Sequence, residues 1–124
     1  MAGEIQVTAG LSVDKGTSPS DYSDAKEPGS VAITMSGDDY VGGTQLIGTS
    51  AENIGMGEIS TAGYMWVKNL GPTNYVELGY DDTGFKNFVK LKVGEPGTFR
   101  LAQDQPQAKA DTAAVRIEYR IYED

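Results

Sequence analysis

The segment Asn87–Leu101, NFVKLKVGEPGTFRL, carries the sharpest pattern in the chain. Apolar residues alternate with Lys90 and Lys92 before a GEPG break, and again with Arg100 after it. Alternation with a period of two is typical of half-buried strands, and Gly, Glu and Pro between two such runs indicate a tight turn. The segment therefore predicts a β-hairpin with one apolar face in the core and one basic face outside.

The same period recurs along the chain. The segment VRIEYRIYE, Val115–Glu123, alternates throughout, and GYMWVKNLG and NYVELGYDD flank a Gly-Pro-Thr turn. Some eight to ten short strands, no amphipathic helix and short connections predict an all-β fold with antiparallel pairing. We expect a jelly-roll-like β-sandwich of about eight strands, although strand number alone does not separate a jelly roll from an immunoglobulin-like sandwich.

Length and composition predict one domain spanning residues 1–124, because a chain of this length buries one core. From Asp14 to Ser30 turn-forming and charged residues replace the apolar period, which predicts a long loop or arm within that domain. Long loops in small domains are often functional. The residues predicted to make contacts from this arm are Asp14, Lys15, Tyr22 and Lys26.

Composition also narrows the classes of function. The chain has no histidine and no cysteine, which excludes Ser-His and Cys-His nucleophile systems and thiolate metal sites. A net charge of −8 argues against nucleic acid, because phosphate binding needs clustered Lys and Arg. The N-terminus lacks the pattern of a signal peptide, and no apolar run is long enough to cross a membrane. We expect a protein that is not an enzyme, has no cofactor and is made in a cytoplasm.

Two acidic pairs, Asp38-Asp39 and Asp81-Asp82, lie in predicted turns. Carboxylates in a loop are ligands for calcium, but Asp and Gly are also the ordinary residues of turns, and neither pair has the spacing of an EF-hand. The turn interpretation is preferred, and no metal site is predicted.

Aromatic residues concentrate between Tyr64 and Tyr80. Such residues on a β-sandwich can stack on sugars, but a lone Trp in the middle of a strand is more often at the centre of the core. We therefore expect Trp66 in the core, and leave Tyr75 and Tyr80 open to either interpretation.

Charged residues on three strands predict the solvated face of a half-buried sheet that also meets a neighbouring subunit. If the hairpin and the last strand share a sheet, their outward charges form one stripe that acids of a neighbouring subunit can meet. The residues of this predicted subunit interface are Lys90, Lys92, Arg100, Arg116, Glu118 and Arg120.

The C-terminal half, residues 60–124, resembles a small structural protein of tailed bacteriophages. The resemblance rests on an aromatic strand ending in KNL, then NYVE, a Leu-Lys strand with a Gly-Glu turn, FRLA, AKA-TAAV and an acidic C-terminus. These elements lie at Trp66–Leu70, Asn74–Glu77, Val89–Lys92, Gly94-Glu95, Phe99–Ala102 and Ala108–Glu123. The resemblance implies a capsid decoration or cement protein with a jelly-roll-like fold and no catalytic residues.

The resemblance also implies partners and a location. Such a protein binds the major capsid protein and its own copies and forms a homo-oligomer, with a trimer favoured. It is made in the cytoplasm of the host bacterium and lies on the outer capsid surface of the virion. Nucleic acid and membranes are not expected partners. The alternatives are a carbohydrate-binding or receptor-binding module of a tail or fibre, or another head–tail component.

Overall fold

The computed structural model describes residues 3–15 and 22–124, which form ten β-strands. In chain order the first five are β1 (Ile5–Lys15), β2 (Tyr22–Ile33), β3 (Tyr40–Ile47), β4 (Glu52–Asn53) and β5 (Ala62–Asn69). The others are β6 (Val76–Asp81), β7 (Phe85–Leu91), β8 (Pro96–Arg100), β9 (Gln107–Ala110) and β10 (Val115–Glu123). No helix that could cross a membrane is found among these residues. Every strand pair is antiparallel, so the all-β antiparallel prediction is confirmed.

The chain divides into two compact units, Met1–Met35 and Ser36–Asp124. The first contains only β1 and β2, and the second contains the other eight strands. The prediction of a single domain over residues 1–124 is not tested by this division and stays a prediction.

In the first unit β1 and β2 form a two-stranded ribbon. Residues that face each other across an antiparallel pair lie on the same side, and here Ile5 faces Ile33 while Val7 faces Val31. Next to Val7 and Val31, Thr8 faces Ser30 on the opposite side. The ribbon is therefore amphipathic, and we call the side with Val7 and Val31 its apolar face.

The predicted loop from Asp14 to Ser30 is wrong where the structure describes it. Asp14 and Lys15 end β1, and residues 22–30 belong to β2, so only residues 16–21 lie between the strands, outside the described part. The sequence misleads here because β2 carries several charges and Pro28, next to a register shift between Ala9 and Leu11 of β1. Strands tolerate proline at such irregularities.

The second unit is built like a β-sandwich from two four-stranded sheets. We call β3-β10-β5-β8 the front sheet and β4-β9-β6-β7 the back sheet. Among the described residues, the buried apolar side chains all belong to this unit and alternate along its strands, as in Met65 and Val67 of β5 or Ile117 and Ile121 of β10. A two-residue period places one side of each strand in the core.

The predicted hairpin at Asn87–Leu101 is also wrong, although its turn is present. β7 pairs with β6 in the back sheet, whereas β8 pairs with β5 in the front sheet. The GEPG turn, with Gly94 at a φ of +80°, therefore carries the chain from one sheet to the other. Alternation specifies strands and their buried sides, but it does not say which strand is the neighbour.

Asn69 joins the two sheets at this crossing. Its side-chain amide is buried and donates to the carbonyls of Leu91 (2.9 Å) and Asn74 (3.0 Å), while its Oδ1 accepts from the Gly71 N–H at 2.7 Å. Its backbone carbonyl accepts from the Gly94 N–H at 3.1 Å. One residue of the front sheet thereby holds the end of β7 and the crossing turn.

We predict that Asn69→Ala lowers the free energy of unfolding by about 3 kcal/mol, because it leaves buried carbonyls without a donor. Denaturant unfolding followed by Trp66 fluorescence measures the loss. Asn87→Ala removes an exposed amide that bonds to Glu77, and should cost under about 1 kcal/mol. Equal losses in the two variants would contradict the role assigned to Asn69.

Candidate interaction surface

The outward side of the front sheet holds most of the predicted interface residues. On β10, Arg116, Glu118 and Arg120 alternate with buried Val115, Ile117, Tyr119 and Ile121 and so face away from the core, as the alternation predicted. Their part in a subunit interface stays a prediction. We call this side of the sheet the outer face.

A row of aromatic residues crosses the outer face next to one end of β10. Tyr40, Tyr122, Tyr64 and Arg100 face one another in turn on β3, β10, β5 and β8. The rings of Tyr40 and Tyr122 stack with centroids 6.0 Å apart, and the Arg100 guanidinium lies 5.8 Å from the Tyr64 ring. Arg100 also forms an ion pair with Asp124 at 3.4 Å. The row therefore combines three phenol rings with one cation.

The adjacent row contains Gly42, Arg120, Trp66 and Thr98. A Cβ on Gly42 would lie 2.4 Å from Cδ of Arg120, so the arginine lies flat across the glycine. Arg120 donates to the Tyr119 carbonyl at 2.8 Å and pairs with Glu118 at 3.3 Å. The Gly42-Gly43 pair lies in continuous register with β10.

Trp66 is not in the core, so that expectation is wrong. It is half-buried on the outer face between Arg120 and Thr98, and Met65 and Val67 on either side of it are the core residues. The strand GYMWVKN is apolar on both sides, so its pattern does not indicate which side faces the core. The outer-face aromatic residues are thus the feature that sequence reasoning missed.

The predicted basic stripe does not form as one surface. Lys90 lies on β7 of the back sheet, while Arg100, Arg116 and Arg120 lie on the front sheet. Lys90 faces Glu77 on β6, and its Nζ lies 4.3 Å from the centroid of the Tyr75 ring. Lys92 lies in the crossing turn, where its N–H donates to Oε1 of Glu95 at 2.8 Å. The premise that the three strands share a sheet holds only for β8 and β10.

Tyr75 lies between a cation and acids on the back-sheet side. The Asp111 carboxylate raises the pKa of Tyr75, first by its charge and then by accepting a hydrogen bond from the hydroxyl. A phenol whose pKa is higher in the folded than in the unfolded protein stabilises the fold below about pH 10. This contribution to the free energy of unfolding is lost as the pH rises through the pKa of the folded protein.

The acidic pairs lie in turns that hydrogen bonds hold. Glu123 Oε1 accepts from the Asp38 N–H at 3.2 Å, and Asp81 Oδ1 accepts from the Gly84 N–H at 3.0 Å. Within residues 3–15 and 22–124, no three His, Cys, Asp or Glu side chains cluster closely enough to hold a metal ion. The preferred turn interpretation agrees with these bonds.

The predicted arm residues fall on the ribbon. Asp14 faces Ser23, Lys15 faces Tyr22 and Lys26 faces Leu11 in the strand register. Asp14 and Lys26 are exposed, as are the apolar residues Leu11 (69%) and Val31 (56%). The ribbon thus offers both charges and apolar side chains for contact.

Comparison of the chain with protein-family models, with curated proteins and with solved structures finds no match.

Replacing Asp111 by Asn should lower the pKa of Tyr75 toward the ordinary value of about 10, since it removes the neighbouring negative charge. Tyrosine ring signals followed by NMR during an alkaline titration measure this. Asp104→Asn is the control, because Asp104 is not among the groups that act on Tyr75. An unchanged Tyr75 titration in Asp111→Asn would contradict the assigned cause.

Proposed function

We propose that this chain is a non-enzymatic virion structural protein, a decoration or cement protein that stabilises a phage head by binding the major capsid protein and its own copies. The two-stranded ribbon of β1 and β2 is the feature of the molecule that best supports this role. It presents an apolar face, yet the buried core formed by the described residues lies entirely in the other unit. A lone two-stranded ribbon is marginal in water, so an apolar face of this kind is suited to another molecule.

The strand order of the second unit supports a jelly-roll assignment. The pairs β6·β7, β5·β8, β4·β9 and β3·β10 are nested about the turn between β6 and β7. Such nesting describes one long hairpin that is rolled so that successive strand pairs alternate between two sheets. Jelly rolls of eight strands occur in viral capsid proteins and lectins.

The resemblance of residues 60–124 to phage structural proteins supports the same role, and with it a location on the outer capsid surface and a trimeric assembly. A net charge of −8 is suited to an outer surface, away from packaged DNA. Binding of this kind needs complementary surfaces rather than catalytic groups.

A second candidate function rests on the outer face. Tyr64, Trp66 and Tyr122 are half-buried there, which leaves ring surface for stacking on a sugar, and lectins are among the jelly-roll proteins. This favours a carbohydrate-binding or receptor-binding module of a tail or fibre as the alternative.

The two functions are separated by binding experiments with the purified protein. The decoration role predicts saturable binding to capsids that lack the protein, with a fixed copy number seen by cryo-electron microscopy, and no binding to a glycan array. Glycan binding that is lost in Trp66→Ala, without any binding to such capsids, would overturn the decoration role in favour of the alternative.

A paired substitution tests the ribbon. We expect Val7→Ser with Val31→Ser to weaken capsid binding at least tenfold, since both side chains lie on the apolar face, while the thermal unfolding of the second unit is unchanged. Thr8→Ala with Ser30→Ala, the adjacent pair on the opposite face, should bind like the wild type. Equal weakening by both pairs would contradict a contact through the apolar face.

A further inference from the structure

The free edge of β3 differs from the other three edges of the sandwich. The front sheet ends in β3 and β8, and the back sheet ends in β4 and β7. Natural sheets protect their edges from pairing with another chain by short strands, proline, charged side chains or bulges. β4 is only two residues long, and β8 contains Pro96 and Arg100. Two of the four edges are therefore protected by length or by residue type.

β7 is protected in two further ways. Lys86 and Lys90 are exposed on this strand, and antiparallel pairing with β7 of a second copy about Phe88 would oppose lysine to lysine. The register against β6 also shifts, which leaves Phe88 as the extra residue of a bulge. A Cβ on Gly79, opposite this bulge, would collide with the Lys86 carbonyl, so only glycine fits there. Bulges interrupt a strand edge and re-aim its side chains.

β3 has none of these protective features. Its eight residues, YVGGTQLI, include no charge and no proline, and its register against β10 is unbroken. Within residues 3–15 and 22–124 it pairs with β10 alone. A long uncharged edge strand of this kind readily pairs with a strand of another molecule. β3 is therefore the edge of the sandwich that is open to a further strand.

The hydrogen-bond pattern identifies the backbone groups at this edge. Directly before β3, the carbonyl of Asp39 accepts from the Glu123 N–H at 2.9 Å, so residue 39 bonds toward the β10 side. Alternate residues of an antiparallel strand bond to opposite sides. Odd-numbered residues of β3 therefore bond to β10, and even-numbered residues direct their N–H and C=O groups to the free edge. These even-numbered residues are Tyr40, Gly42, Thr44 and Leu46.

The outer-face side chains of β3 are complementary to those of a second β3. Tyr40 (68% exposed) and Leu46 (53% exposed) are large apolar residues near its two ends, and Gly42 and Thr44 lie between them. Opposed residues of an antiparallel pair share one side of the sheet. In the register centred on Gly43, Tyr40 of each copy opposes Leu46 of the other, and no other register opposes these two residues. Both exposed side chains then gain an apolar neighbour, and no like charges meet.

We propose that two copies of this chain pair through β3, antiparallel and in register about Gly43, so that their two four-stranded front sheets become one continuous sheet. Opposed even-numbered residues exchange backbone hydrogen bonds across the contact. The two Gly43 residues face each other on the axis as a pair without hydrogen bonds, where Cα atoms approach to about 4.5 Å. The contact is isologous, because the same strand is used on both sides of a twofold axis.

This contact goes beyond the decoration role and does not depend on it, since it joins two copies whether or not they bind a capsid. A trimer formed through another surface would be joined to a second trimer by it.

Cysteine cross-linking tests the register, because the chain has no native cysteine. When Tyr40→Cys and a mass-tagged Leu46→Cys protein are mixed, allowed to exchange and treated with a short bis-maleimide, we expect a covalent heterodimer. Each variant alone is the control and should give at least tenfold less homodimer, since equivalent positions of the two copies lie about 20 Å apart in this register. Equal yields from the mixture and from the single variants would overturn the proposal.

Paired charges at the same two positions measure the contact in solution. Tyr40→Lys/Leu46→Lys opposes lysine to lysine twice, whereas Tyr40→Lys/Leu46→Glu opposes lysine to glutamate twice and removes the same apolar side chains. From analytical ultracentrifugation we expect a dissociation constant at least tenfold higher for the first variant than for the second. Thermal unfolding of the two variants should be alike, because both positions are exposed. Equal dissociation constants, or a wild-type protein that does not self-associate, would overturn the proposal.

Amide hydrogen exchange, followed by NMR, tests the backbone bonds of the contact. The N–H groups of Gly42 and Thr44 should exchange at least tenfold more slowly in the wild type than in Tyr40→Lys/Leu46→Lys, because the contact alone gives them a strand partner. The N–H groups of Val41 and Gln45, which face β10, are the internal control and should be protected equally in both proteins. Equally fast exchange of Gly42 and Thr44 in both proteins would overturn the proposal.

The outcomes separate this contact from the decoration role. Capsid binding by a protein that never pairs through β3 would overturn the contact alone. Pairing through β3 in a protein that never binds capsids would overturn the decoration role and leave the contact standing.

Discussion

The buried amide of Asn69 is the interaction on which the arrangement of the two sheets depends. It bonds to carbonyls of Leu91 and Asn74 and to the Gly71 N–H, and its backbone carbonyl accepts from Gly94 in the crossing turn. Apolar packing presses two sheets together without fixing how one slides over the other, because the hydrophobic effect has no direction. A hydrogen-bonded amide between them has one satisfied geometry, and leaving its partners unpaired is costly. Asn69 therefore fixes where the chain crosses from the back sheet to the front sheet.

That crossing sets the edges of the sandwich and so the places where contacts can form. Because the chain leaves β7 for the other sheet, β7 and β8 both become edge strands, and an apolar groove lined in part by Phe88 lies beside them. The outer face follows from the same arrangement, since β5 between β10 and β8 places Trp66 next to Arg120. The ribbon has an apolar face, whereas the buried core of the described residues lies in the other unit, and the proposed function rests on that difference.

Sequence reasoning predicted the strands themselves wherever a period of two was clear, but not which strands pair. β10 has apolar and charged residues in strict alternation, so both its extent and its buried side were predictable, and with them the outward positions of Arg116, Glu118 and Arg120. It failed where the pattern was ambiguous. β5 is apolar in both phases, so Trp66 was placed on the wrong side, and β2 is interrupted by charges and Pro28, so most of it was taken for a loop. The bulge at Phe88 had one visible signal, Gly79 in the facing strand, but only the register gives that glycine its meaning.

The sequence by itself determined that this chain is an all-β protein with antiparallel strands, because alternation and turn residues act between neighbours along the chain. The same local chemistry determined the composition of each strand face. Only the tertiary structure decided which strands are neighbours, that the segment NFVKLKVGEPGTFRL joins two sheets rather than folding as a hairpin, and that aromatic rings gather on the outer face. Those features depend on contacts between residues far apart in the chain, such as Asn69 with Leu91. An alternation pattern along one segment does not specify such contacts.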